Sequence, residues 1–326
     1  MKKRPKLTFN GAAYSLTCCG DYGINLCETE EEYAIFLEIL ERTLASFTWN
    51  LHAFCLTKTH YYLLVDTPKG NLPDGMRFFS SQYAQRIQRV RGTNGHFFRE
   101  SYQATPVEGT AEFLAMATND IHLEPARQKL FNLKTGTLSD YAWSSYNLYL
   151  RPSARPSWLS INTVLNAQGF NDDRSGLTRY RNLLKKQTAS KAAKTTIFKN
   201  EWAIGSTTFK TQLLDLLDEK LRHISPGSIS GNMMAAYFQR QAEQLLTTAM
   251  DSLKLSRDEL KHLKKMDPRK QAICWYLKQN SSVRSRWITE QLHMGDTGNT
   301  SLATRNVKNA TDGLLFELRK RVINEF

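Results

Sequence analysis

The sequence predicts an α+β fold: a ferredoxin-like antiparallel sheet with helices on one face, followed by an all-α region that contains a helix-turn-helix. Three observations carry this. Strand-like and helix-like patterns alternate over the first 150 residues in the order βαββαβ, with one helix added. Only helical periodicity returns after about residue 205, and near the end a helix, a glycine turn and a second helix can be read.

Ala12 to Thr17 reads as a short strand, and Glu30 to Phe47 as a helix because Phe36, Leu37, Leu40 and Leu44 recur on one face. Leu51 to Leu56 and Tyr61 to Asp66 read as a strand pair across the polar turn Thr57 to His60. A second helix is expected from Leu72 to Val90, closed by the Gly92 to Gly95 turn. A strand follows from Tyr102 to Val107, then a helix from Thr110 to His122 that stops ahead of Pro125. Residues 1–150 are therefore expected to form one domain. Residues 151–204 are loop-rich and basic, with Lys185, Lys186, Lys191, Lys194 and Lys199, and read as a linker or accessory arm. Residues 205–326 read as a helical domain, with helices over Thr207 to His223, Met233 to Leu253 and Arg269 to Lys278.

Within that last domain, residues 284–309 carry the helix-turn-helix pattern. Trp287, Ile288 and Leu292 share a helical face, His293, Met294 and Gly295 supply a tight turn, and Thr300 to Val307 can form the second helix. A recognition helix so placed would turn Asn299, Thr300, Ser301, Thr304 and Arg305 toward the major groove. A plain helical hairpin with those residues in water is the competing reading.

Composition narrows the partners. Lys and Arg number 44 against 31 Asp and Glu, a net charge of +13 that favours a polyanion, with nucleic acid foremost. A basic stripe on the second helix and just after it, Arg77, Arg86, Arg89, Arg91, His96 and Arg99 with Tyr83 interleaved, suits phosphate contacts plus base stacking. Its competing reading is a solvated charged face. The five cysteines, Cys18, Cys19, Cys27, Cys55 and Cys274, lack CxxC spacing and read as buried free thiols of a reducing compartment. Neither a signal-peptide core nor an apolar run of membrane-spanning length occurs, so a cytoplasmic, nucleoid-associated protein without a membrane partner is expected.

Five ordered segments carry a family resemblance: FNGAAYSLTCCG (Phe9 to Gly20), WNLHAFCLTKTHYYLLVDTPKGNL (Trp49 to Leu72), GHFFRESYQATPVE (Gly95 to Glu108), DIHLEPAR (Asp120 to Arg127) and WSSY (Trp143 to Tyr146). Together they resemble the IS200-like transposases, specifically the REP-associated tyrosine transposases of the single-tyrosine HUH type. Two later segments, EWAIGSTTFKTQLL (Glu201 to Leu214) and WITEQLHMGDTGNTSLATRNVK (Trp287 to Lys308), look like the C-terminal extension of longer members.

The resemblance implies single-stranded DNA cleavage near a hairpin, by a tyrosine that forms a phosphotyrosine while Mg²⁺ or Mn²⁺ polarises the phosphate. It implies a metal held by a His-hydrophobic-His triplet, whose i and i+2 residues project from one face of a strand. It also implies a tyrosine and a polar ligand four residues apart on a helix, and a dimer that shares its active sites.

This chain departs from the pattern at defined positions. The triplet reads His60-Tyr61-Tyr62, and the Met-Pro-Asn before it has become Thr57-Lys58-Thr59. The helix pattern Tyr-x-His-x-Asn-Pro has become Asp120-Ile121-His122-Leu123-Glu124-Pro125. Asp120 therefore stands at the nucleophile position, and His60, Tyr62 and Glu124 make a degenerate metal set. An aspartate nucleophile would give a hydrolysable acyl phosphate, poorly matched to reversible strand transfer. His60 also reads as a hydrogen-bonded histidine at a strand start, and His122 as a residue that caps its helix or sits in its dipole field.

The expectation is thus a catalytically degenerate, regulatory DNA-binding protein that takes a hairpin, or single strand with flanking duplex, and needs no cofactor. The alternative is an active metal-dependent single-stranded DNA transposase or endonuclease acting through Tyr62 or a metal-bound water. A scaffold for a protein or structured RNA, built on the central helices, is the third reading.

Overall fold

The computed structural model describes residues 7–21, 24–94, 97–98, 102–189, 196, 198, 201–221 and 231–324. It divides into two compact units, Met1–Ile229 and Ser230–Phe326.

The first unit is built on four strands, β1 (Ala12–Cys19), β2 (Asn50–Leu56), β3 (His60–Thr67) and β4 (Gln103–Val107), in the order β2-β3-β1-β4. Every pairing is antiparallel, which is the expected ferredoxin-like arrangement. The β2–β3 turn closes on itself, since Thr57 N donates to His60 O at 2.7 Å and His60 N to Thr57 Oγ1 at 2.9 Å.

Helix α1 (Glu30–Phe47) starts where Thr29 Oγ1 accepts from Glu32 N, with Glu30, Glu31 and Glu32 in its first turn to complement the helix dipole. It ends at Thr48 in the left-handed conformation, φ 57°. Helix α2 (Leu72–Arg91) carries Pro73 in its first turn and passes so close to Trp49 that a Cβ at Gly75 would meet the indole at 2.1 Å. Phe36, Leu40 and Leu44 from α1, and Met76, Phe79, Tyr83 and Ile87 from α2, pack on Tyr14, Leu16, Tyr61, Leu63 and Val65 of the sheet.

The other sheet face is covered too, which corrects the expectation of helices on one face. Helix α3 (Ala111–His122) lays Leu114, Ala117 and Ile121 on Ala13, Ala53, Cys55, Leu64 and Val107. Alternation explains it: Ala13, Ala53, Cys55 and Leu64 project to that side of the sheet, and the apolar patch they make has to be removed from water. After α3 the chain breaks at Leu123 and restarts as the single turn α4 (Glu124–Arg127), because Pro125 has no N–H with which to continue the ladder.

Residues 151–188 are not a linker, a second correction. After α5 (Ser145–Leu150), helices α6 (Asn162–Ala167) and α7 (Arg174–Thr188) bury Val164, Leu165, Leu177, Tyr180 and Leu184 in the main core. Lys185 and Lys186 lie on the exposed side of α7, so the charge that suggested an arm is the wet face of an amphipathic helix. Lys191, Lys194 and Lys199 lie outside the described residues. Ile204 pairs with the β4 edge, Ile204 N donating to Pro106 O at 2.8 Å. Helix α8 (Thr207–Leu221), expected to open the helical domain, belongs to the first unit.

The second unit is all-α: α9 (Gly231–Ser252), α10 (Arg257–His262), α11 (Pro268–Asn280), α12 (Ser285–Gln291), α13 (Gly298–Asn309) and α14 (Gly313–Asn324). Helix α11 is central, its Ala272, Ile273, Cys274 and Leu277 packing among Leu246, Ile288, Leu292, Ala303 and Val322. Lys270 is fully buried, its ammonium donating to Leu263 O at 3.1 Å and His293 O at 3.4 Å. It thereby satisfies carbonyls where α10 and α12 end.

Candidate nucleic-acid interface

The residues at the expected chemical positions fall into two groups, His60 with Tyr62 and Asp120 with Glu124, linked through Gln128, which donates to Tyr62 Oη and Glu124 Oε2. His60 and Tyr62 share a side of β3, and their rings stack with centroids 6.2 Å apart at 20°. Asp120 lies in the last turn of α3 and Glu124 begins α4, so they stand across a helix break rather than on one continuous helix.

What joins the carboxylates is Arg127. Its Nη2 donates to Asp120 Oδ1 at 2.5 Å, and its Nη1 to Glu124 Oε1 and to Asp120 O, each at 2.6 Å. The second Asp120 oxygen accepts from Thr196 Oγ1 at 2.6 Å. Tyr62 Oη accepts from Gln128 Nε2 at 3.0 Å. All three charged side chains are nearly closed to water, with side-chain exposures of 13% for Asp120, 12% for Glu124 and 8% for Arg127.

The electrostatics follow from that enclosure. Burial raises the Glu124 carboxyl above its ordinary value, opposed by the Arg127 guanidinium. Burial, then the Glu124 charge, lifts the Tyr62 phenol. Burial lowers His60, whose Nδ1 lies 2.8 Å from Thr59 Oγ1.

These residues do not fit the divalent ion that the family resemblance implies. Among the described residues no three His, Cys, Asp or Glu side chains gather as a metal would require. A guanidinium already bridges the two carboxylates, and a phenol with a raised pKa is a poor ligand.

His122 neither caps its helix by its side chain nor faces water. It is fully buried, with Nδ1 against the Tyr180 hydroxyl and Nε2 against Ser145 Oγ, both at 2.7 Å. Tyr180 Oη in turn donates to Asn119 Oδ1 at 3.1 Å. Ser145 Oγ accepts from Phe54 N at 2.9 Å, so the network ties α3, α5 and α7 to β2.

The basic stripe divides in two. Tyr83 is fully buried, its hydroxyl donating to Leu26 O at 2.7 Å and touching Cys27 Sγ at 3.1 Å, so it stacks on no base. Arg91 forks onto Glu32 with two bonds of 2.7 Å and donates to Asn25 O, an inward role that fastens α2 to α1. Both are corrections: one stripe of helical positions spans core-facing and solvent-facing angles, and these two face inward. Arg77, Arg86 and Arg89 are exposed, Arg77 beside Asp74 at 3.4 Å. His96 and Arg99 lie outside the described residues.

In the second unit, α12, the turn at His293 (φ 51°) and Gly295 (φ 82°), and α13 follow the expected order. The five residues assigned to its outer face separate. Ser301 and Arg305 are exposed; Thr304 is half-buried and donates to Thr300 O. Thr300 is fully buried with Oγ1 on Thr297 O, and Asn299 Nδ2 donates to Met294 O, so these two hold the turn instead of facing outward.

No family model matches the chain, and no curated protein does. Among solved structures, a REP-associated tyrosine transposase bound to a REP hairpin is similar to it at 11% identity and a TM-score of 0.39. The match covers 50% of this chain and 93% of that one. Among the described residues no helix is long and apolar enough to cross a membrane.

Sequence reasoning missed Arg127, which decides the character of the carboxylate cluster. The signal was present: Asp120, Glu124 and Arg127 are spaced by four and three residues, as ion-pairing side chains on a helix are. It also missed the buried pair between His52 Nε2 and Asp66 Oδ1 across β2 and β3. Nothing in the spacing of those two residues signals it.

Proposed function

We propose that this chain binds DNA without cutting it, taking a hairpin or single strand beside a duplex, in a regulatory role. The observation that carries the reading is the Arg127 bridge between Asp120 and Glu124. A nucleophile must present a lone pair to phosphorus, yet both Asp120 oxygens accept hydrogen bonds, one from a guanidinium and one from Thr196. Both carboxylates are bound by the one guanidinium, so the cluster acts as a brace at the α3–α4 break. Support for binding comes from the net charge of +13, the exposed Arg77, Arg86 and Arg89, and the outward Ser301 and Arg305 of α13.

The test is a labelled hairpin with single-stranded flanks, incubated with the full chain in Mg²⁺ or Mn²⁺ and resolved on native and denaturing gels. A retarded band on the first and intact DNA on the second is the expected result. A nick, or a covalent adduct that survives denaturation, overturns the reading in favour of an active endonuclease.

A further inference from the structure

The solvent side of the α1–α2 layer carries a cleft that brings Arg86 and Arg89 of the basic stripe against Glu38 and Arg42 of α1, which the stripe does not include. Glu38, Ile39 and Arg42 of α1 face Gln82, Gln85, Arg86 and Arg89 of α2 across an open groove. The spacing builds it: Glu38 and Arg42 lie one turn apart, and Gln82, Gln85, Arg86 and Arg89 follow the 3, 1, 3 steps of a single helical face. Ile39 is buried beneath it, and Arg42, Arg86 and Arg89 are exposed above. None of the three arginines has an ion-pair partner among the described residues.

Three guanidiniums against one carboxylate leave the groove with a local excess of two positive charges. Such a cluster concentrates anions. Arginine presents planar paired N–H donors that match phosphate oxygens, and the Gln82 and Gln85 amides can add neutral donors. A groove open along its length suits a chain of phosphates better than one enclosed ion.

We infer that the Arg42–Arg86–Arg89 groove is a phosphodiester site, along which the sugar-phosphate backbone of a bound nucleic acid runs. This rests on the DNA-binding reading for its natural ligand, but not for its affinity for phosphate. Glu38 is the element that sets its strength: the carboxylate faces the same groove and repels the backbone.

The experiment uses the full chain, its R42A/R86A/R89A variant and its E38Q variant. Binding of a fluorescent single-stranded oligonucleotide is measured by anisotropy over a salt series, and pyrophosphate is titrated separately with thermal unfolding as the readout. The triple variant is expected to lose at least tenfold in affinity, and its log–log salt slope should fall by about two, since each phosphate contact contributes roughly 0.7 for a single strand. E38Q should bind two- to fivefold more tightly, an increase that a misfolded variant would not give. Pyrophosphate should raise the unfolding temperature of the wild type and leave that of the triple variant unmoved.

An unchanged salt slope in the triple variant overturns the inference. If the wild type binds no oligonucleotide while pyrophosphate protection still requires the arginines, the DNA-binding reading fails and the phosphate site stands.

Discussion

Nδ1 of His122 lies 2.7 Å from the Tyr180 hydroxyl, inside a core where neither group meets water. Burial holds the imidazole at a pKa of about 3. The folded state therefore keeps the ring neutral, while the unfolded chain takes up a proton below its ordinary value of 6.5. Stability from this site is complete above about pH 6.5 and is lost as pH falls toward 3, at up to about 1.4 kcal/mol per pH unit. Denaturant titrations of wild type and H122N at pH 7 and pH 5 isolate the effect. Wild type should lose roughly 2 kcal/mol more than the variant over that interval.

Removing Arg127 leaves two nearly buried carboxylates facing one another. R127A should cost about 3–5 kcal/mol, as expected when one partner of a buried ion pair is deleted. The variant's pH profile carries a second signature. With the guanidinium gone, Glu124 loses the charge that opposes its burial, so its already raised folded-state pKa rises further and R127A should recover stability as pH falls through that raised value. A chemical-denaturation series from pH 7 to pH 5 checks both magnitude and sign, and a variant as stable as wild type at pH 7 would show that the bridge does not brace the fold.

Tyr83 and Arg86 are three residues apart in sequence and opposite in role. Y83F removes the shorter of the two hydrogen bonds to the Leu26 carbonyl, leaving Arg91 Nη2 at 3.4 Å, and should cost about 1 kcal/mol, with no change in oligonucleotide affinity. Exposed Arg86 should behave the other way: R86A weakens binding and leaves the melting temperature in place. Melting curves and anisotropy on the same two proteins decide the matter, and a base-stacking role for Tyr83 would show as lost affinity in Y83F.

The same contrast runs along α13. R305A should lower duplex affinity and reduce the salt slope by about one, without destabilising the unit. T300A removes a buried hydroxyl that donates to Thr297 O and should cost about 1 kcal/mol. Equal affinity of R305A and wild type for duplex DNA would remove α13 as a reading helix.

Much of the sheet was legible because β1, β2 and β3 are bounded by turns and polar caps that short-range chemistry determines. Thr57 to His60 and Thr29 are examples. The second covered face was not, because Ala13, Ala53, Cys55 and Leu64 become one apolar surface only after β1, β2 and β3 are in register. Tyr83 and Arg91 were misread for a related reason. A run of arginines with one aromatic suggests a binding stripe, but which members face water depends on where Leu26 and Glu32 arrive from elsewhere in the chain. The motif singled out Asp120 and Glu124, which the structure joins through a third residue. Their meaning lay in Arg127, a long-range decision only in that burial turned an ordinary helical ion pair into a closed one.

The strands at both borders of the sheet are already occupied. Along β2, Leu56 N donates to Trp143 O and Ser160 N to Leu51 O; along β4, Glu108 N donates to Ile204 O. A second copy of this chain therefore cannot join by lengthening the sheet at those positions unless the segments around Trp143, Leu159 or Ile204 first peel away. These segments act as built-in guards against edge-to-edge association at the positions they cover.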